Sequence, residues 1–105
     1  MGWIGVDLDG TLAQYDKWKG PNHIGKPIPK MLKRVKEWID KGQKVKIFTA
    51  RAMDKEHIPP IKKWLEENGL GKLEVTNIKD YSMITLYDDR CVQVITNTGE
   101  LIKEK

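Results

Sequence analysis

Two spacings alternate among the apolar residues of this chain. Trp3 to Leu8 is a short, almost continuous apolar run, the pattern of a buried strand. Ile28, Met31, Leu32, Val35, Trp38 and Ile39 then recur at helical spacing, with Pro29 near a first turn and Gly42 just past the end. Lys44 to Thr49 predicts a second strand, whose apolar content is Val45, Ile47 and Phe48. A second helix follows Pro59-Pro60, with Ile61, Trp64 and Leu65 on its buried side and Gly69 as its stop. Leu73 to Ile78 reads as a third, weaker strand and Met83 to Tyr87 as a fourth. Val92 to Ile95 and Glu100 to Ile102 flank Asn97-Thr98-Gly99, a turn sequence for a terminal β-hairpin.

Strand, helix, strand, helix, strand is the order of βαβ units. The expected architecture is therefore α/β, with a mainly parallel sheet and right-handed crossovers. A chain of 105 residues and 12.1 kDa has room for one core, so residues 1–105 are read as a single domain. No apolar run is long enough to span a bilayer, and the first residues carry no basic segment ahead of an apolar one. The chain reads as cytoplasmic, without a membrane partner. Cys91 stands alone, which removes disulfide frameworks and cysteine-based zinc sites together.

Composition adds a bias in charge. Lys and Arg number 19 against 15 Asp and Glu, a net +4. Between Gln14 and Lys46 there are ten basic residues and three acidic ones. A basic surface favours anionic partners, among them phosphorylated metabolites and nucleic acid. Lysine-rich helix faces are also commonly just solvated.

The acidic residues are placed more tellingly. In a parallel sheet the ligand crevice lies beyond the carboxyl ends of the strands. The first strand runs into Asp7-Leu8-Asp9-Gly10-Thr11, and the fourth into Asp88-Asp89. Close carboxylates repel unless a cation lies between them or one keeps a proton. Two such pairs at the ends of apolar strands suit one shared hard cation, and oxygen-only ligands suit Mg²⁺. An EF-hand series starting at Asp7 fails, because Gly10 comes too early and Trp18 falls where a bidentate Glu belongs. Asp9-Gly10 as a simple turn, and Asp88-Asp89 as solvated acids with one pairing to Arg90, are the plainer alternatives. Thr49 ends the second strand ahead of Ala50-Arg51 and offers a hydroxyl and a backbone N–H to a phosphate oxygen. Lys79 follows the third strand, where a point charge offsets phosphate or carboxylate charge. His23, His57 and Cys91 form no ligand or triad pattern.

Together these residues resemble the four motifs of the haloacid dehalogenase (HAD)-like phosphohydrolases, in the family's order, from Trp3 to about Arg90. The loop Trp18-Lys19-Gly20-Pro21 and the run Phe48-Thr49-Ala50-Arg51 look like a compact group found in bacteria and phages. The resemblance implies a Rossmann-like three-layer α/β/α core with no cap domain, residues of about 12–27 forming only a flap. It implies phosphomonoester hydrolysis with Asp7 as nucleophile and Asp9 as general acid and base. Thr49 and Lys79 would stabilise the transferred group, with Gly10, Thr11, Ala50 and Arg51 lining the phosphate site. Mg²⁺ would be held by Asp7, the backbone carbonyl of Asp9, Asp89 directly and Asp88 through water. The gap from Lys79 to Asp88 is short for the family, which leaves Lys72 as the alternative lysine.

The substrate stays open among a sugar phosphate or other small phosphomonoester, a nucleotide and a nucleic-acid terminal phosphate. Lys17 and Trp18 are candidates for contacting its body, though Trp18 is equally suited to packing under the flap. Two other functions are compatible with the same residues. One is a phosphate- or nucleic-acid-binding module that keeps the fold without turnover. The other is a phosphotransferase, whose acceptor must outcompete water at the aspartyl-phosphate.

Overall fold

The computed structural model describes residues 2–102. Four strands, β1 (Trp3–Val6), β2 (Lys44–Phe48), β3 (Glu74–Thr76) and β4 (Met83–Tyr87), form one sheet in the order β3-β2-β1-β4. Every pairing in it is parallel. Helix α1 (Pro29–Asp40) joins β1 to β2, and α2 (Ile58–Glu67) joins β2 to β3. Two short 3₁₀ turns, Ala50–Met53 and Lys55–His57, precede α2; the sequence pattern had not foretold them.

β1 is continuously apolar because it lies centrally and is covered on both faces. Ile4 and Val6 join Val45 and Ile47 in a core completed by Met31 and Val35 of α1 and Ile61, Trp64 and Leu65 of α2. Both helices therefore pack on the same face. Trp3 takes the other face, where it is 1% exposed and its indole N–H donates to Asp80 Oδ1 at 2.8 Å. Lys46 Nζ lies 4.5 Å from the centre of that ring and within 3.5 Å of Glu74 and 3.9 Å of Asp80. The Trp3 hydrogen bond, the Ser82 N–H and the nearby lysines hold the Asp80 carboxyl below its ordinary range.

Residues 77–82, which contain Asp80, carry the chain from one edge of the sheet to the other across this second face. Of the expected α/β/α layers, the described residues supply the sheet and one helical layer. The crossing residues cover Trp3 without forming a helix. The path from β3 to β4 is too short to hold one.

The fourth strand is not the buried one its apolar sequence suggests. β4 is an edge strand with Ile84, Thr85 and Tyr87 exposed, and only Tyr87 finds an aromatic partner, Trp38, at 4.9 Å. The terminal hairpin is reduced to one antiparallel bridge, Val94 to Leu101. It turns at Asn97 and Gly99, both with positive φ, and forms no regular strands. No helix among the described residues is long and apolar enough to cross a membrane.

Candidate active site

Strand register brings the chemistry together. Val6 of β1 is level with Tyr87 of β4, and the Asp7 N–H donates to the Tyr87 carbonyl at 2.9 Å. The next residues on either side, Asp7 and Asp88, consequently leave the sheet side by side. Beyond β1 the chain folds into a tight loop, with Leu8 O accepting from the N–H groups of Thr11, Leu12 and Ala13. Leu8, Leu12 and Ala13 are buried in the core, which turns Asp7 and Asp9 outward between them.

One carboxylate oxygen from each of Asp7, Asp88 and Asp89 lies within 4.8 Å of the others. The Thr11 hydroxyl sits among them, 3.3 Å from both Asp7 Oδ2 and Asp89 Oδ1, and accepts from the Asp89 N–H at 3.0 Å. Gly10 makes the approach possible. Its φ is +90°, and a Cβ there would lie 2.5 Å from Asp89 Oδ2. Burial, a hydrogen bond to Asp89 and the charges of Asp88 and Asp89 push the Asp7 carboxyl up to about 7 from the ordinary 3.8. The cluster therefore holds a proton near neutral pH or calls for a cation. Asp7, Asp88 and Asp89 are close enough to one another to share a single hard cation.

Asp9 is separate from that cluster. Its two oxygens receive Arg51 Nε and Nη2, each at 2.8 Å. Arg51 Nη2 also donates to the His23 carbonyl at 3.0 Å, and Nη1 to that of Pro21 at 3.4 Å. The guanidinium carbon lies 4.8 Å from the centre of the Trp18 ring, and Trp18 lies 5.6 Å from His57. Most of the Arg51 fork is thus committed to Asp9 and the flap instead of facing an incoming phosphate. The flap is tied at its neck as well, Gln14 N–H donating to Lys26 O and Ile28 N–H to Leu12 O, both at 2.8 Å. Trp64 Nε1 adds a bond to the Gly25 carbonyl at 2.9 Å.

Thr49 is 2% exposed, and its hydroxyl caps the first 3₁₀ turn by accepting from the Arg51 N–H at 3.1 Å. The Thr49 N–H, expected to face phosphate, instead donates to Thr76 O and extends the β2–β3 ladder. The hydroxyl proton stays available, and among the described backbone hydrogen bonds Ala50 donates none.

A cleft of about 950 Å³ opens over these groups, taking in Asp7, Asp9, Thr49, Asp88 and Asp89, with Tyr15, Trp18 and Met53 on its wall. Its basic residues are Arg51, Arg90 and His57. Lys79 is not among the lining residues. It sits on the crossing 77–82, and Asn77 is the residue of that segment that reaches the cleft. Lys72 precedes β3, at the opposite end of the sheet from the carboxylates. Lys17 is exposed away from the lining, and Lys19 pairs with Asp16 at 3.4 Å. Tyr15, Phe48, Met53, His57, Asn77 and Arg90 line the cleft without having been singled out from sequence as site residues, and the signal for Arg90 was its adjacency to Asp88-Asp89.

Comparison with protein-family models, curated proteins and solved structures finds no match to this chain, so the site stands on its geometry alone.

Proposed function

We propose that the protein is a Mg²⁺-dependent phosphomonoesterase of the HAD-like type. The observation that carries this reading is the convergence of Asp7, Asp88 and Asp89 within 4.8 Å at the carboxyl ends of adjacent parallel strands. Such an arrangement is costly without neutralisation and useful with it. Asp7, Asp88 and Asp89 would hold the ion, which offsets charge on the transferring phosphoryl group.

The remaining work falls to the chain's own residues. Asp7 attacks phosphorus as the carboxylate and releases the leaving oxygen, forming an aspartyl-phosphate that water then cleaves. Thr49 Oγ1 donates to a phosphoryl oxygen from the wall of the cleft. Arg90 takes the charge-balancing place expected of a lysine, since it lines the cleft and Lys79 does not. Asp9 protonates the leaving oxygen after rotating off Arg51, because both its oxygens face that guanidinium at rest. The same pairing favours the second reading, a phosphate-binding module without turnover, in which Asp9 never leaves Arg51.

Release of phosphate from a simple aryl phosphate, with and without Mg²⁺, separates the two readings. Mg²⁺-dependent turnover that Asp7→Asn abolishes in a folded protein supports the phosphatase. Undiminished turnover in Asp7→Asn sinks the mechanism. Phosphate binding with no turnover in the unaltered protein favours the module.

A further inference from the structure

The carboxylate end of the cleft accounts for a phosphate and says nothing about the rest of a substrate. Other residues lining the cleft do. Trp18 and Tyr15 come from the flap, Met53 from the first 3₁₀ turn and Phe48 from the end of β2, and all four line the same cleft. Trp18 is 51%, Tyr15 48% and Met53 81% exposed, and their common position on one cleft sets them apart from the scattered apolar residues elsewhere on the surface. Large apolar side chains gathered on one concave wall mark a binding surface more than scattered surface residues do.

The setting of Trp18 narrows the ligand. One face of its indole rests on the Arg51 guanidinium at 4.8 Å, and His57 stands tilted against it at 5.6 Å. Arg51 is held by two flap carbonyls besides Asp9, so the ring keeps its backing when Asp9 turns away. The residue is half exposed and lines the cleft, so part of the ring is presented to a ligand. A half-exposed aromatic ring on a fixed backing is a platform for another flat ring, because stacking needs a π-face and little hydrogen-bond matching. A bare sugar would present hydroxyls to a wall of Trp18, Tyr15, Met53 and Phe48 that offers them few partners. The cleft volume of about 950 Å³ lies at the upper end of small-ligand sites and admits a whole nucleotide.

We infer that the cleft takes a nucleobase-bearing phosphomonoester, its base stacked on Trp18 and its phosphate directed to the Asp7, Asp88 and Asp89 cluster. The inference rests on the phosphatase reading for the phosphate end and on the aromatic wall for the base. Free nucleoside monophosphates and phosphorylated nucleic-acid ends share this chemistry.

Adenosine 5′-monophosphate and ribose 5-phosphate differ only in the base, so the ratio of their kcat/KM values with Mg²⁺ isolates its contribution. A stacked base should make that ratio roughly 5- to 150-fold in favour of the nucleotide. Trp18→Ala should bring the ratio towards one, and Trp18→Phe should restore most of it. Should Trp18→Ala fail to fold, Tyr15→Ala provides the same reading from a half-exposed residue outside the Arg51 network. Equal hydrolysis of the two substrates by the unaltered protein overturns the inference while leaving the phosphatase standing. So does a ratio that folded Trp18→Ala does not change.

Where neither substrate is hydrolysed, binding decides. Preference of the unaltered protein for adenosine 5′-monophosphate over ribose 5-phosphate in saturation-transfer NMR, lost in Trp18→Ala, upholds the base site, while the aryl phosphate assay decides the phosphatase separately. No preference overturns the base site too. Oligonucleotides phosphorylated at the 5′ or 3′ end, run beside the mononucleotide, show which source is favoured, and a preference for either supports the inference.

Discussion

Replacing Arg51 tests how the flap and the first acidic motif are joined. The Arg51 side chain is 5% exposed and that of Asp9 20%, so the pair is largely withdrawn from water. Arg51→Ala removes two bonds of 2.8 Å to Asp9 and those to the carbonyls of His23 and Pro21. It also takes away the backing of Trp18. Breaking a buried pair leaves an uncompensated charge and costs about 3–5 kcal/mol, against about 5–15 kcal/mol for a whole domain. Asp9→Asn leaves the Arg51 guanidinium buried without its carboxylate and should cost a comparable amount, about 3–5 kcal/mol.

The informative quantity is the coupling. The double variant should be less destabilised than the sum of the single ones by about 1–3 kcal/mol, because each removal deprives the other residue of the same partner. Urea unfolding is the suitable assay, since guanidinium chloride would screen the pair. The four tryptophans supply the fluorescence signal. A shift in midpoint at constant slope reports stability alone. Amide exchange should also accelerate around residues 20–24 in Arg51→Ala, well beyond any change in α1. A coupling below about 0.5 kcal/mol with unaltered flap exchange would refute the argument that Arg51 clamps the flap onto Asp9.

Three further outcomes are expected. The raised Asp7 carboxyl, at about 7 against 3.8 unfolded, makes the folded state bind the extra proton between those values. Metal-free stability should then fall as pH rises from about 4 to about 7 and level off above, by about 1–2 kcal/mol once solvent screening is allowed for. Excess Mg²⁺ at pH 8 should restore it, and Asp7→Asn should flatten the profile; a flat metal-free curve in the unaltered protein contradicts the clustering. Gly10→Ala meets both a φ of +90° and Asp89 Oδ2 at 2.5 Å, so it should cost about 1–3 kcal/mol and raise the Mg²⁺ needed for half-maximal thermal stabilisation. Asp89→Asn should raise that Mg²⁺ requirement with little loss of metal-free stability, and an unchanged requirement passes the ligand role to Asp88.

Local pattern carried much of the architecture. Helical spacing from Ile28 to Ile39 and the Pro59-Pro60 start located both helices, which occupy Pro29–Asp40 and Ile58–Glu67. β4 runs over the same Met83–Tyr87 that its apolar residues suggested. These features were legible because helix and strand periodicity is written within a few neighbouring residues. Asp7-Leu8-Asp9-Gly10-Thr11 and Asp88-Asp89 were legible for a related reason, since acids ending apolar runs are conspicuous without knowledge of their partners.

What sequence could not supply were relations between distant residues. Strand order put β1 beside β4, and only that adjacency makes one cluster of Asp7 and Asp88, which are far apart in the chain. The bond from Arg51 to Asp9 crosses 42 positions and gives a cleft-lining arginine a second task as a brace. The path of residues 77–82 decided that Asn77 and not Lys79 reaches the cleft, and left β4 as an exposed edge. Local spacing dictates which residues share a strand or a helix face. Which charges meet, and which side chains share the cleft with Trp18, depends on strand order and loop paths that no short stretch of the chain encodes.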